Sequence, residues 1–561
     1  MPETPQQPSL FSEPEPRPLP EPQLATQPDL LDPALAPQDK PAPEAVLEAT
    51  PPAKTPTVAS AALLLMVTGM LASVLGLLRT KYINHIFGAG AATDAYNAAF
   101  QLPDMVNYFL VGGAASATLV TMLTRFREKN DEQAEQETVS AVLNAMLVVL
   151  AGAILIAELL TPLYVHHAFP RFDKERADLC ISLTRLLLPA QLFFFTGGIF
   201  NARLLSRKIF FCQALSPLIY TLGILAGAYL FSSRIGVYSL PVGVLMGVLA
   251  GPGLLNMYMA FRTGLRYKFG WTVNHPAFRE WLRLNLPLML GFTIGQSDKW
   301  ILGYFASADL GGISRLTVAK SLFNAPLNIV GAAAGAASLP FFASLHAKGK
   351  AWDFSTSVSR SVSRLLAFGA LLGAWMIALA PWLLDLFRGG SFHRTDAAET
   401  TQYFTIFSLT VGIWAAQGIY ARAFYAAGNA RTPLVAGSLI TVLSLPIYKL
   451  LFVSQGTIGL PIASDIGMTA YTVALAVLLH KRRLVSIAHL EWGELLRSVA
   501  AGGGALAAAY FAAHALPVTR THSGDIVVVA VGSVAWFVAG FGMLILTGSK
   551  LPRQLLRRGK A

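Results

Sequence analysis

About fourteen times along this chain of 561 residues, a stretch of twenty or more predominantly apolar residues recurs, and nothing else restricts the fold as tightly. The stretches fall near 58–79, 95–124, 139–165, 179–204, 207–231, 237–262, 281–305, 316–345, 361–388, 401–427, 432–454, 457–480, 495–516 and 525–547. A helix that crosses a bilayer needs roughly 20 apolar residues. Lipid offers the backbone no hydrogen-bond partner, so a spanning segment is a helix or part of a closed barrel. Runs this long and continuous are helices, and the alternating ten-residue segments of a barrel are absent. Composition agrees, with 54% of residues hydrophobic and 13% charged, against about 25% charged in a soluble domain. The expected fold class is an all-α polytopic membrane protein with about fourteen transmembrane helices.

The N-terminus differs from the rest. Residues 1–56 hold 16 of the 33 prolines, and nine acidic residues against three basic ones, Arg17, Lys40 and Lys54. Such a segment buries too little apolar surface to offset its ordering entropy. Residues 1–57 are therefore expected to be a disordered, Pro-rich acidic tail, without the basic, apolar and small-residue order of a signal peptide. The whole chain is +12 and the tail 3 − 9 = −6, so the remainder is +18. That excess reads as a topology signal, and no nucleic-acid partner is expected. With basic residues near a span end counted to the adjoining connection, the even-numbered connections and the C-terminal tail carry 26 Lys and Arg, and the odd-numbered connections ten. The positive-inside rule then places both termini in the cytoplasm.

Two pairs of segments match at a nearly constant offset. Phe200-Asn201-Ala202-Arg203, followed by Ser216-Pro217, is similar to Tyr420-Ala421-Arg422, followed by Thr432-Pro433, at offsets of 219 and 216. Gly113-Ala114-Ala115-Ser116 with Leu119 is similar to Gly335-Ala336-Ala337-Ser338 with Leu339, at 220 between the leucines. The expectation is an N-lobe at 58–263 (helices 1–6) and a C-lobe at 264–480 (helices 7–12). Residues 481–561 then hold helices 13 and 14 and a basic cytoplasmic tail. Six helices is an even number, so the two lobes form a parallel repeat, a transporter architecture. The small residues of 112–117 and 331–337 would let helices 2 and 8 approach each other across the repeat axis.

Charges inside apolar spans mark the candidate site, because each costs at least ~2.5 kcal/mol at a helix centre unless paired or hydrated. Arg79 ends the first stretch, Asp94 opens the second, and Asp104 follows beside Pro103. Arg185 lies in the fourth, Asp298 and Lys299 in the seventh, and Lys320 in the eighth. An anionic head group between lobes would use Arg79, Lys299 and Lys320, with Asp298 tuning them. The plainer alternatives are that Asp298 pairs structurally with a nearby cation and that Arg79 snorkels to the interface. Cys180 and Cys212 read as packed free thiols, and no spacing of Cys or His suggests a metal. No connection is long enough for a soluble catalytic domain and no nucleophile–base set appears, so no enzymatic activity is expected.

The stretch Leu75-Gly76-Leu77-Leu78-Arg79, Ile86-Phe87-Gly88-Ala89-Gly90, Ala92-Thr93-Asp94-Ala95-Tyr96 and Ala99-Phe100-Gln101-Leu102-Pro103 resembles the MurJ/MviN family. These are lipid II flippases of the multidrug/oligosaccharidyl-lipid/polysaccharide exporter superfamily. Ala423-Phe424-Tyr425-Ala426-Ala427-Gly428-Asn429-Ala430-Arg431-Thr432-Pro433 is similar to the family's second signature. The resemblance covers roughly 58–550. It implies a rocking transporter of a bacterial inner membrane, whose cationic cavity receives undecaprenyl-pyrophosphate-linked muropeptide, with Arg79 and Asp94 at functional positions. It also implies a monomer among membrane lipids, with the tail available to cell-wall synthesis proteins. No cofactor is implied, and coupling runs to the membrane potential or a monovalent cation. Ser73, Asn107, Tyr108 and Ser321 stand where the family carries arginines, while Thr80 and Gly112 replace acidic residues. Alternatives are a flippase for another polyprenyl-linked oligosaccharide, an ion-coupled small-molecule exporter, and a non-transporting membrane scaffold.

Overall fold

In a computed structural model, residues 58–110, 113–295, 297–517 and 521–552 are described; the acidic segment 1–57 and the basic residues 553–561 lie outside them. The first half runs α1 (Val58–Phe87), α2 (Ala91–Ala99), α3 (Gln101–Leu110), α4 (Gly113–Glu128), α5 (Glu132–Ala168), α6 (Lys174–Leu187), α7 (Ala190–Ser206), α8 (Phe211–Ile235), α9 (Ser239–Val248) and α10 (Asn256–Arg262). The second runs α11 (Pro276–Gly295), α12 (Ser297–Ala306), α13 (Gly312–Ala347), α14 (Ala351–Asp385), α15 (Arg394–Leu409), α16 (Val411–Ala426), α17 (Arg431–Gln455) and α18 (Gly459–Lys481). Two helices follow, α19 (Trp492–Ala515) and α20 (His522–Leu546). The described residues contain no strand, apart from one isolated bridge between Gly389 and Phe392.

Each apolar stretch of the sequence falls on one helix or a run of short ones. Among the described residues, eight helical stretches could cross a membrane by length and composition, and nine if the α15–α16 pair, bent by 46°, is one span. That measure does not confirm the expected fourteen, and two features of the described residues lower the count. Phe211–Arg262 and Arg431–Lys481, at 52 and 51 residues, each fold back at a left-handed glycine, Gly236 and Gly456. A Cβ on Gly223 would overlap Gly247 and one on Gly227 would overlap Gly243, so α8 and α9 lie antiparallel in backbone contact. The second stretch is interrupted at Phe100, between α2 and α3, which carry Asp94 and Asp104, while Asp298 and Lys299 lie on α12.

The backbone repeats at the offset seen in the sequence. α8 and α17 both have 25 residues and start 220 apart, at 211 and 431. Left-handed residues recur in register: Asn130 with Gly349, 219 apart, and Lys208 with Gly428 and Gly236 with Gly456, each 220 apart. Much of the paired small-residue runs 112–117 and 331–337 lies outside the described side chains.

The connections 88–90, 236–238, 307–311 and 386–393 share one end of the bundle, the Gly88 end. Here a single core draws on both halves, joining Tyr96 and Phe169 to Phe305, Phe323 and Phe387. Towards the opposite, Arg203 end the core divides. Leu143, Phe195 and Trp281 form one cluster, and Phe354, Ile419 and Leu475 another. Phe278 and Trp281 begin α11, so this helix packs on the first half although its sequence opens the second. Arg203 and Glu135, both 0% exposed at the side chain, pair at 3.0 Å, and Arg207 reaches the same carboxylate at 3.1 Å. Cys180 and Cys212 are free and buried.

Candidate transport cavity between the two halves

The first signature motif folds as a stop, a start and a clasp. Gly88, at φ +69°, ends α1 in a conformation that side chains with a Cβ resist. The Thr93 hydroxyl donates to the Gly88 carbonyl at 2.8 Å and accepts from the Gly90 N–H at 3.0 Å, which starts α2. Asp94, 0% exposed, turns away from its own helix. Its carboxylate accepts the Gly311 N–H at 2.6 Å and the Ser314 N–H at 2.8 Å. It therefore caps the N-terminus of α13, in the other half, where helices need acceptors. Asn97 reaches the Ser314 hydroxyl at 3.4 Å. The turn before α15 adds a second clasp: the Ser391 N–H donates to the His85 carbonyl at 2.8 Å and its hydroxyl to Ile86 at 2.9 Å. A Cβ on Gly88 would meet the Ser391 carbonyl, so the halves touch backbone to backbone.

Beneath the clasp lies a cavity of about 470 Å³. Asn97 and Gln101 face it from the first half, and Asp298, Lys299, Lys320 and Asn324 from the second. Lys320 pairs with Asp298, and its ammonium sits 4.6 Å from the Trp414 ring centroid and 5.1 Å from that of Phe407. The Asp298 carboxylate also accepts the Ser464 hydroxyl at 2.8 Å and the Tyr448 hydroxyl. Lys299 crosses between the halves to Asp104 on α3, at 2.5 Å. Each cavity lysine thus already holds an aspartate. Asp465 is buried beside Thr410 and Trp414.

The structure brings Asp298, Lys299 and Lys320 together at this cavity and sets Arg79 and Asp94 apart from it. Asp94 is a clasp. Arg79 is half-buried on α1, within electrostatic reach of Tyr96 and Tyr220, and has no ion-pair or hydrogen-bond partner among the described residues. Arg185 pairs with Glu158 at 3.8 Å, away from the cavity. Asp104 is the residue whose role sequence reasoning missed. It stood out as an intramembrane charge beside Pro103, but its partner lies 195 positions along the chain.

A family model described as "Lipid II flippase MurJ" matches residues 83–527. The chain belongs to the MurJ family. Among curated MurJ relatives, a lipid II flippase from Burkholderia cenocepacia is 26% identical over 440 residues, covering 75% of this chain and 83% of the relative. A probable lipid II flippase from Borreliella burgdorferi is 23% identical over 427 residues, with the same two coverages. In fold, the chain is similar to a solved MurJ in an inward closed conformation, at TM-score 0.71 and 19% identity over 86% of this chain and 99% of that one. An inward-facing multidrug transporter of the MATE family follows at 0.60 and 12%, over 75% and 98%. The chain is thus a multi-pass, all-helical membrane protein with the fold of MurJ and MATE transporters.

The second MurJ signature marks a helix junction. Gly428, at φ +71°, closes α16, and the Asn429 side chain accepts from the Thr432 N–H at 3.1 Å to open α17.

Proposed function

We propose that this protein carries lipid II from the cytoplasmic to the periplasmic leaflet of a bacterial inner membrane by alternating access, without catalysing a reaction. The observation that supports this best is the interlobe cavity, closed at the Gly88 end, in which Lys299 and Lys320 each hold an exchangeable aspartate. A pyrophosphate brings about two negative charges that must be paired within the bilayer. Lys299 and Lys320 would leave Asp104 and Asp298 for the phosphates, so binding would loosen an ion pair that ties the halves together. Arg79, outside the cavity lining, has no ion-pair partner among the described residues, and its guanidinium suits bidentate contact with phosphate oxygens once the halves move. Asp298, once released, would need a proton or a monovalent cation, which is where coupling to an ion or to the membrane potential would enter.

Orientation follows from charge. The basic connections at the Arg203 end face the cytoplasm, so the clasps of Asp94 and Ser391 close the periplasmic side. The 58–263 and 264–480 lobes would rock about the shared core, with α11 travelling on the first.

The test is complementation of a strain depleted of its own flippase, with the accumulating lipid-linked intermediate identified. The wild-type chain should restore growth and clear lipid II. Arg79→Ala should abolish rescue at normal abundance, and Arg79→Lys should retain part of it. Rescue by Arg79→Ala at wild-type level would remove Arg79 from head-group binding. Accumulation of a different polyprenyl-linked glycan would overturn the choice of lipid II.

A further inference from the structure

A second, smaller cavity lies inside the first half, about 190 Å³ in volume, between α3, α7, α8 and α9. One ion pair links it to the interlobe cavity: Asp104 lines this one, while its partner Lys299 lines the other. Its polar wall is a pair of amides. Asn107 donates from Nδ2 to Oε1 of Gln191 at 2.7 Å. That bond leaves the Asn107 carbonyl and the Gln191 amide N–H groups without a hydrogen-bond partner among the described residues, and Gln191 is 4% exposed. Its apolar wall is aromatic: Phe100, and Phe194 set edge-on to Tyr220 with centroids 5.2 Å apart.

The lining narrows what can enter. No Lys or Arg lines this cavity, and Asp104 at its edge is already held by Lys299, so nothing in the lining is left to pair a phosphate. The carboxylates of a peptide stem fail for the same reason. A lipid tail would leave the two amides unsatisfied, at a cost of roughly 1–3 kcal/mol each. A neutral ring with hydroxyls on its edge and C–H groups on its face satisfies both walls. An acetamido group adds a donor and an acceptor of the kind the Asn107–Gln191 pair leaves open. The volume is below the ~300–1,000 Å³ of a pocket for a whole drug-sized ligand, so it suits one ring.

We infer that this cavity is a subsite for a single N-acetylated sugar ring of the head group, read by Asn107 and Gln191, while the phosphates stay at Lys299 and Lys320 beyond Asp104. The inference rests on the transport reading above and names what reads the sugar. It also gives a role to Asn107, which stands where the resemblance places an arginine: the N-lobe wall has exchanged charge for amides.

The test measures binding of two probes to the full-length protein in lipid nanodiscs. One is undecaprenyl pyrophosphate, the other the same lipid bearing the GlcNAc–MurNAc disaccharide without peptide. Wild type should prefer the glycosylated probe by about tenfold, the effect of roughly 1.4 kcal/mol of hydrogen bonding. Asn107→Leu with Gln191→Leu should reduce that preference to less than about twofold, while affinity for undecaprenyl pyrophosphate reports that the fold survives. If the double variant does not fold, Gln191→Glu, which keeps the shape and removes the open N–H donors, is held to the same criterion. A variant with the wild-type preference would overturn the subsite. Equal binding of both probes by wild type would overturn it too, leaving the transport reading intact. Binding of neither probe would overturn both.

Discussion

Asp94 and the Lys320–Asp298 pair carry the sharpest expectations. Asp94→Ala strips α13 of its cap, a loss of about 1 kcal/mol for exposed caps and more in a dry site. The loss falls on the state closed at the Gly88 end, so a cysteine near Asn97 should label faster from the periplasm. Unchanged labelling would make Asp94 a passive core residue. Lys320 and Asp298 behave as a pair. Removing one partner strands the other's charge and costs about 3–5 kcal/mol, whereas replacing both is often close to neutral. Lys320→Met should therefore lower the detergent melting temperature, and Lys320→Met with Asp298→Asn should recover most of it without recovering transport. A double variant less stable than the single would show that the pair is not the unit. The sequence exposed these side chains because charge in an apolar span is conspicuous. It did not expose their partners, since Asp94 with Ser314 and Lys299 with Asp104 meet across 220 and 195 positions. Nor did it show that both cavity lysines are already neutralised.

At the scale of elements, the left-handed positions test the repeat. Gly428 occupies φ +71° without a Cβ, whereas its counterpart Lys208 holds φ +61° with one, a strain of about 1–2 kcal/mol. Lys208→Gly should preserve or raise thermal stability, and Gly428→Val should lower it by several degrees. The reverse order would mean that these turns are set by tertiary contacts. Helix positions were readable from apolar runs, and the repeat from two short matches. The break inside the second stretch was not. α2 ends at Ala99, ahead of Pro103, and α3 runs through that proline from Gln101 to Leu110.

For the whole molecule, orientation and rocking are separable. Cysteines at Lys129 and Arg482 should be shielded from an impermeant reagent in intact cells, while one at Lys174 should react; the opposite pattern would invert the topology. Asn97→Cys with Ser314→Cys, at side chains 3.4 Å apart, should cross-link on oxidation and halt lipid transport until reduced. Transport continuing through the cross-link would mean that this end need not open. Family membership was legible in the first signature. The lopsided core, shared at one end and split at the other, depends on which faces meet and leaves no periodic trace in the chain.

The cap that Asp94 supplies to α13 has one more consequence. Its two hydrogen bonds gain most of their strength from dryness, because water would satisfy the same N–H groups and the same carboxylate almost as well. The closed end is thus held by the exclusion of solvent more than by the bonds themselves. Any cargo that carries its own hydration shell up to Asn97 would weaken the fastening simply by wetting it, and the polar head group would loosen its own exit without pulling on either half.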